Sequence, residues 1–227
     1  MDFLTGVKVL EEVVSPINGK VRVLKSLGLG TYIQVENLTQ SGGVVYGVWK
    51  STLKKLKNSK NPKLKNCLIL GLGGGSAAKL VRKFWPEASI TGVDIDPVMV
   101  EMGKKHMGLT GVEIAISDAE KYLLTISHPP ASHTRKRFGR GQPSNIKFDL
   151  ILIDLYVGYE VPEKFQTENY IRLVRLNLER SGKAVFNRLY FGEKRAQAMK
   201  FAKKLEKVFS KVEYFYPEAN VMFICSN

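Results

Sequence analysis

From Asn66 to the end of the chain, short apolar runs alternate with segments of helical periodicity. This alternation is typical of a parallel sheet, because a connection between parallel strands must cross one face of the sheet, usually as a helix. We predict strands over residues 67–70, 89–93, 112–116, 148–153 and 183–187, helices over residues 76–84, 97–107, 119–126, 168–178 and 193–208, and a closing pair of strands over residues 212–216 and 221–225. Together these elements predict an α/β fold with a mostly parallel seven-stranded sheet covered on both faces.

The first 42 residues have a different pattern. Residues 6–35 alternate in polarity and are rich in Val and Ile, and the segments SPINGK and SLGLG interrupt them. Such alternation with turn segments predicts a small β-meander, which we assign to an N-terminal domain over residues 1–42, with the α/β domain over residues 43–227. Residues 44–58 have helical spacing, and residues 127–147, with three prolines and two glycines, predict a basic loop.

The composition excludes a collagen-like repeat and a chain that is disordered over most of its length. With 44% hydrophobic and 25% charged residues, the chain has the composition of a folded globular protein. No apolar run reaches the roughly 18 residues that cross a bilayer, and the N-terminus lacks the pattern of a secretion signal, so we expect a cytoplasmic protein without a membrane partner. Cys67 and Cys225 lie in apolar runs and are expected to be reduced and buried, and no metal-site spacing is present.

The net charge of +14 comes from clustered basic residues. One cluster lies around residues 50–65, a second lies in the helix-like segment 194–207, and a third is the run with Arg135, Lys136, Arg137 and Arg140. Such clusters are most often solvated surface, but their field also concentrates anions. We therefore expect a small-molecule or anionic acceptor as the partner of the protein, with nucleic acid as an alternative that the basic clusters would bind.

A glycine-rich turn follows the first predicted strand of the α/β domain and reads LGLGGGS over residues 70–76. Gly71, Gly73 and Gly75 allow the backbone to turn sharply and to approach a ligand, and the helix that starts at Ser76 offers free amides and a positive dipole end. A dinucleotide fingerprint has its third glycine where Ser76 stands. The observed Gly-x-Gly-x-Gly spacing favours a fold that binds S-adenosylmethionine.

Three carboxylates are predicted at the same edge of the sheet as this turn. Asp94 ends the second strand of the domain, where it could accept hydrogen bonds from both hydroxyls of a ribose. Asp118 opens the helix after the third strand, facing an adenine amine, and Asp154 ends the fourth strand. Asp118 could also be a simple helix cap, as could Asp96, and the sequence leaves both interpretations open.

Taken together, these motifs resemble the spermidine synthase (polyamine aminopropyltransferase) family, which has a Rossmann-like class I methyltransferase fold. The similarity extends over nearly the whole chain and is carried by NLTQSGGVVYGVW, LILGLGGGSAAKLV, GVDIDP, ISDAEKYL, LILIDLYVGY and FYPEANVMFICSN. The resemblance implies that Asp154 activates an amine, that Tyr46 belongs to the gate of the site, and that a homodimer is one expected assembly. The nucleoside site that it implies, together with the glycine turn, comprises Gly71, Gly73, Gly75, Ser76, Asp94, Ile95, Asp118, Ala119 and Gln40.

The sequence departs from that family at three places that would hold the donor's free ammonium or an amine acceptor. Ser76 replaces an Asp after the glycines, Val157 replaces a second Asp of the catalytic loop, and Gly47-Val48 replaces the His-Glu of the gate. From these departures we predict an S-adenosylmethionine-dependent methyltransferase acting on an unidentified, small-molecule or anionic acceptor, with Asp154 and Tyr46 as catalytic residues. Aminopropyl transfer from decarboxylated S-adenosylmethionine is the alternative, and a non-catalytic nucleoside- or nucleic-acid-binding module is the second.

Overall fold

The computed structural model describes residues 6–58, 63–127 and 147–227. The first five residues of the predicted N-terminal domain and residues 59–62 lie outside the described residues. The same is true of residues 128–146, which include the basic run from Arg135 to Arg140. The predicted role of that run in binding nucleic acid therefore stays a prediction.

An antiparallel sheet of four strands forms the N-terminal part. Its strands are β1 (Val7–Ser15), β2 (Gly19–Ser26), β3 (Gly30–Val35) and β4 (Leu38–Gly42), in the order β1-β2-β3-β4. Alternate positions of β2 and β3 place apolar side chains on one face, as the period of a half-buried strand requires. That face is buried against a helix of the second sheet through contacts of Val21, Val23, Ile33 and Val35 with Met99 and Met102.

The remaining elements build the second sheet and its helices. The strands are β5 (Asn66–Leu70), β6 (Ser89–Asp94), β7 (Glu113–Ile116), β8 (Phe148–Ile153), β9 (Leu178–Leu189), β10 (Lys211–Phe215) and β11 (Asn220–Ser226). The helices are α1 (Gly43–Lys57), α2 (Ser76–Phe84), α3 (Pro97–Met107), α4 (Ala119–Ser127), α5 (Glu168–Leu176) and α6 (Lys194–Glu206), with a 3₁₀ turn at Glu163–Gln166. Within the described ranges, none of these helices is both long and apolar enough to span a lipid bilayer.

The strand order β10-β11-β9-β8-β5-β6-β7 confirms the predicted fold class. Strands β5 to β9 pair in parallel, and β10 and β11 add an antiparallel edge beside β9. The chain leaves β5 first toward β6 and β7 and later returns to its other side through β8. Such a reversal opens a crevice at the carboxyl ends of the central strands, where ligands bind in α/β sheets.

The largest difference between predicted and observed bounds lies at the start of β9. The helix predicted over residues 168–178 ends at Leu176, and β9 begins at Leu178 rather than at residue 183. Asn177 is the C-cap of this helix, and its backbone and side-chain amides both donate to the carbonyl of Leu173, at 3.3 and 2.9 Å. Leu178 then pairs with Phe148 of β8, which starts the long strand early.

Apolar layers cover both faces of the second sheet. One layer contains Leu123 of α4, Tyr170 of α5 and Phe201 of α6, and the other contains residues of α1 and α2 such as Trp49 and Leu80. Cys67 and Cys225 are buried free thiols on opposite faces, as the sequence predicts. Burial raises the pKa of both thiols, so neither is a thiolate near neutral pH.

Candidate active site

A cavity of about 590 Å³ lies over the carboxyl ends of β5, β6 and β8. The end of β4 and the first turns of α1 form a further wall, so both sheets contribute to it. Among the residues predicted from the sequence to bind a nucleoside, those that line this cavity are Gln40, Gly71, Gly73, Ser76, Asp94, Ile95, Asp118 and Ala119. Asp154, predicted as catalytic, lines it as well.

The glycine turn packs closely against the backbone at Asp154, the residue that follows β8. Gly71 has a φ of 87°, and a Cβ at this position would lie 2.1 Å from the carbonyl oxygen of Asp154. Only glycine permits this approach, because any side chain would collide with backbone atoms. The amide of Asp154 donates to the carbonyl of Leu70 at 2.8 Å, so the start of the Asp154 loop is fixed against the end of β5.

Asp94 points at the glycine turn. Its Oδ2 accepts a hydrogen bond from the amide of Gly73 at 2.6 Å, and its Oδ1 accepts one from the amide of Asp96 at 2.9 Å. Burial raises the pKa of the Asp94 carboxyl, and these two amide bonds oppose that increase. Each carboxylate oxygen can accept more than one hydrogen bond, so the group retains acceptor capacity for the hydroxyls of a ribose in the cavity.

Asp118 caps a helix and also lines the cavity, and its predicted contact with an adenine amine stays a prediction. Its Oδ1 caps the start of α4 by accepting from the amides of Glu120 and Lys121, at 3.0 and 3.1 Å. Its Oδ2 pairs with the ammonium of Lys164, which also lines the cavity. Burial favours the neutral acid, but the ion pair and the amides outweigh it and lower the pKa of Asp118. Asp118 is therefore ionised, and a ligand that hydrogen-bonds to it must share it with Lys164.

Asp154 is held by donors from two distant parts of the chain. The indole Nε1 of Trp49 in α1 donates to its Oδ2 at 2.8 Å, and the Nδ2 of Asn187 in β9 donates to its Oδ1 at 2.8 Å. Asn187 is itself positioned by Asn220 of β11, whose Nδ2 donates to its Oδ1 at 2.7 Å. Burial raises the pKa of Asp154, while the bonds from Trp49 and Asn187 and the charge of Arg188 act against that increase.

Two residues at the end of β4 and the start of α2 form the rim beside the glycine turn. Gln40 lines the cavity, and its side-chain Nε2 is buried and has no hydrogen-bond partner among the described residues. An unpaired buried donor of this kind costs free energy unless a ligand or water accepts from it. The Oγ of Ser76 accepts from the amide of Gly42 at 2.6 Å and bonds to the Oγ of Ser41 at 2.9 Å, so it fastens β4 to α2.

Two residues assigned to the site from the sequence do not line the cavity. Tyr46 is half-buried against the layer between α1 and α2, because Val45, Val48 and Trp49 occupy the cavity side of that helix. Gly75, with a φ of 88°, precedes α2, and a Cβ there would meet the side chain of Leu109 at 2.6 Å. The role of Gly75 in this structure is thus close packing, not ligand contact.

Several lining residues were not identified from the sequence as part of the site. Trp49 lies in the segment with helical spacing, and that pattern does not indicate where the indole N–H points. Asn187 ends a predicted strand, and the rule that ligands bind at carboxyl strand ends could have identified it. Loops and turns distant in sequence bring Lys164, Glu218 and Asn220 to the cavity. No local sequence pattern indicates that these residues line it.

The charges in the cavity wall are mostly negative, in contrast to the net charge of the chain. Asp94, Asp118, Asp154 and Glu218 line the cavity, and Lys164 is the only Lys or Arg among the lining residues that the structure describes. Since Lys164 is paired with Asp118, the field inside the cavity favours a cationic ligand. A sulfonium and an ammonium both have the charge that this wall attracts.

Comparison with known proteins identifies the family. The family model for the spermine/spermidine synthase domain matches residues 48–220. The chain belongs to the spermine/spermidine synthase family. It is 30% identical over 131 residues to a polyamine aminopropyltransferase of Vibrio vulnificus, an alignment that covers 56% of this chain and 38% of that relative. This chain therefore matches less than half of the length of that relative.

A solved structure agrees with this assignment at the level of the fold. The crystal structure of spermidine synthase from Thermotoga maritima has a TM-score of 0.72 to this chain at 16% sequence identity. The superposition covers 96% of this chain and 72% of that one. Both the mostly parallel sheet and the N-terminal antiparallel sheet therefore belong to an architecture that this synthase shares.

The prediction of an enzyme that transfers a methyl group is wrong. The spermine/spermidine synthase model covers most of the chain, whereas a methyltransferase homolog of Drosophila pseudoobscura matches only 54 residues at 37% identity, 24% of this chain and 8% of that relative. The prediction relied in part on the replacement of an Asp by Ser76 after the glycines. In the structure the Ser76 hydroxyl is bound to Gly42 and Ser41, and the acidic wall does not suit an anionic acceptor either.

Proposed function

We propose that this protein is an aminopropyltransferase that moves the aminopropyl group of decarboxylated S-adenosylmethionine to an amine. The observation that carries the proposal is Asp154, which lines an acidic cavity beside the glycine turn with both carboxylate oxygens held by donors. A carboxylate fixed in this way can orient an amine and take a proton from it. The family assignment supports the same reaction.

The glycine turn and Asp94 would hold the donor, decarboxylated S-adenosylmethionine. Asp94 would accept from the ribose hydroxyls, and Gln40 has a buried donor available for an acceptor atom of the nucleoside. Intact S-adenosylmethionine also has a carboxylate, for which the described lining residues offer no unpaired cation. The decarboxylated form lacks that group, so it fits an acidic wall better.

The transfer is an in-line displacement in which atoms and charge balance. The lone pair of the amine nitrogen attacks the propyl carbon attached to the sulfonium, and a C–N bond forms as the C–S bond breaks. The electron pair of the C–S bond returns to sulfur, which leaves as the neutral thioether of 5′-methylthioadenosine. The nitrogen gives up one proton, and catalysis consists mainly of aligning the two reactants and removing that proton.

Asp154 would take the proton. An alkyl ammonium has a pKa near that of lysine, about 10.4, so the acceptor arrives protonated and must lose a proton before it attacks. Burial raises the pKa of Asp154 and makes it a stronger base than an exposed aspartate, while Trp49 and Asn187 keep its two oxygens in a fixed orientation. The bonds from these donors leave further lone pairs for the amine.

Turnover tests this function. The protein is incubated with decarboxylated S-adenosylmethionine and 1,4-diaminobutane, and mass spectrometry follows 5′-methylthioadenosine and the aminopropylated amine. We expect equal amounts of both products, and a loss of at least about 100-fold in kcat for Asp154→Asn. Asp149→Asn is the matched control, because Asp149 accepts from the amides of Lys65 and Asn66 at the opposite end of the sheet. Absence of both products with the wild-type protein would refute the proposal.

A further inference from the structure

The turn between β10 and β11 contributes an exposed acidic residue, Glu218, to the lining of the cavity. The turn is closed by a hydrogen bond from the amide of Asn220 to the carbonyl of Pro217 at 3.0 Å. Glu218 lies within it with a φ of 52°, in the left-handed region that non-glycine residues rarely adopt. The amide of Tyr190 donates to the carbonyl of Ala219 at 2.7 Å and fixes the turn against the end of β9.

This turn is connected to Asp154 through side chains. Asn220, two residues after Glu218, donates to Asn187, and Asn187 donates to Asp154. Glu218, Asn220, Asn187 and Asp154 all line the same cavity. The position of the turn is therefore coupled to the group that we propose as the base.

The other acidic residue near this part of the cavity is already neutralised. Glu160, in the loop after β8, forms an ion pair with Lys194 and does not line the cavity. The spermidine synthase family has a second acid in the loop after β8, and Val157 occupies that position here. Val157 lines the cavity as an apolar residue. Glu218 is exposed and forms no ion pair with any described residue.

The lining around these residues is otherwise apolar. Leu155 follows Asp154, and Leu189 and Phe191 flank the residue that anchors the turn. A chain of methylene groups fits beside these side chains, whereas its two charged ends need carboxylates. Asp154 can supply one such carboxylate, and Glu218, an exposed residue of the same lining, can supply the second.

We propose that Glu218 determines acceptor specificity by binding the distal ammonium of a diamine whose other amine is presented to Asp154. This inference rests on the proposed function and goes beyond it, because it assigns the second cation-binding group to the β10–β11 turn rather than to the loop after β8.

The test compares Glu218→Gln with Glu36→Gln. Glu36 is an exposed glutamate in the β3–β4 turn that also has a φ of 52°, and it does not line the cavity. Both variants keep the backbone and the side-chain length and remove one negative charge. Steady-state kinetics are measured with 1,4-diaminobutane and with butylamine, a monoamine of the same chain length. Calorimetry measures the binding of each amine in the presence of 5′-methylthioadenosine.

We expect Glu218→Gln to raise the KM and the Kd for 1,4-diaminobutane by about tenfold and to leave those for butylamine unchanged, as the loss of one partly solvated charge-assisted bond predicts. Glu36→Gln should match the wild-type protein with both amines. An unchanged KM and Kd for the diamine in Glu218→Gln, with normal transfer, would overturn the inference and leave the proposed function intact. If the wild-type protein transfers nothing, the proposed function fails, and diamine binding in the two variants still decides the role of Glu218.

Discussion

The indole nitrogen of Trp49 donates to Oδ2 of Asp154 at 2.8 Å, across 105 positions of sequence. This contact joins the helix that follows the N-terminal sheet to the end of the fourth strand of the second sheet. The otherwise buried indole ring of Trp49 therefore serves as a hydrogen-bond donor in the cavity. The bond also stabilises the ionised form of Asp154 against the burial that disfavours it.

Replacing Trp49 tests whether the hydrogen bond from its indole N–H controls the ionisation of Asp154. In Trp49→Phe the carboxylate of Asp154 loses one donor, so the pKa of Asp154 rises further above its ordinary value. Since the ionised form is the active base, activity falls as pH decreases through that pKa. We therefore expect the acidic limb of kcat/KM to move to higher pH and kcat to fall about tenfold at a pH on that limb.

Trp85→Phe is the control for this variant. Trp85 is the other tryptophan of the chain, packs against Phe84 and does not line the cavity. Its replacement should leave the pH profile unchanged. An identical pH profile in Trp49→Phe and the wild-type protein would show that the indole bond does not control the ionisation of Asp154.

The chain of amides behind Asp154 predicts a graded loss of activity. Asn187→Leu removes the donor to Oδ1, whereas Asn220→Ala only releases Asn187 from one partner. We expect kcat to fall more in Asn187→Leu than in Asn220→Ala, with the Kd for 5′-methylthioadenosine unchanged in both. Single-turnover kinetics and calorimetry measure the two quantities. A larger loss of kcat in Asn220→Ala than in Asn187→Leu would contradict this order.

The glycine turn predicts a large difference between two alanine substitutions. Gly71→Ala places a Cβ 2.1 Å from the carbonyl oxygen of Asp154 at a positive φ, so we expect it to lower the free energy of unfolding by more than about 3 kcal/mol. Gly47 lies within α1 with open space around its Cα, and Gly47→Ala should raise the free energy by about 0.5–1 kcal/mol. Urea unfolding measures both, and equal stability of the two variants would contradict the close approach.

Asp94 is predicted to be the main side-chain contact of the nucleoside. Asp94→Ala removes two charge-assisted hydrogen bonds to the ribose, so we expect at least about 100-fold weaker binding of 5′-methylthioadenosine by calorimetry. Thermal unfolding of the same sample shows whether the variant is folded, because Asp94 also accepts from Gly73 and Asp96. If a folded Asp94→Ala protein binds 5′-methylthioadenosine with undiminished affinity, Asp94 does not contact the ribose.

The sequence predicts those parts of the site that depend on a strand end. Asp94, Asp118 and Asp154 were expected at one edge because carboxyl ends of parallel strands meet there, and all three line the cavity. The glycine turn follows from the same reasoning, since Gly71 and Gly73 come directly after a buried strand. The alternation of strands and helices predicts the sheet itself, which the structure confirms.

The rest depends on contacts between distant parts of the chain. Tyr46 and Trp49 are three positions apart on one helix, and only the packing of that helix decides that Trp49 faces the cavity. Asn220 and Glu218 belong to a hairpin at the end of the chain, and their neighbours in sequence give no sign of a cavity. Ser76 was interpreted as a ligand group because its partners, Ser41 and Gly42, lie 35 and 34 residues earlier.

The most direct test of the central claim is a competition between the two donors. The protein is given equal concentrations of decarboxylated and intact S-adenosylmethionine together with 1,4-diaminobutane, and liquid chromatography resolves the nucleoside products. Aminopropyl transfer releases 5′-methylthioadenosine and methyl transfer releases S-adenosylhomocysteine. We predict that 5′-methylthioadenosine accumulates with the aminopropylated amine and that S-adenosylhomocysteine does not form. Accumulation of S-adenosylhomocysteine with a methylated amine, and no 5′-methylthioadenosine, would contradict the account.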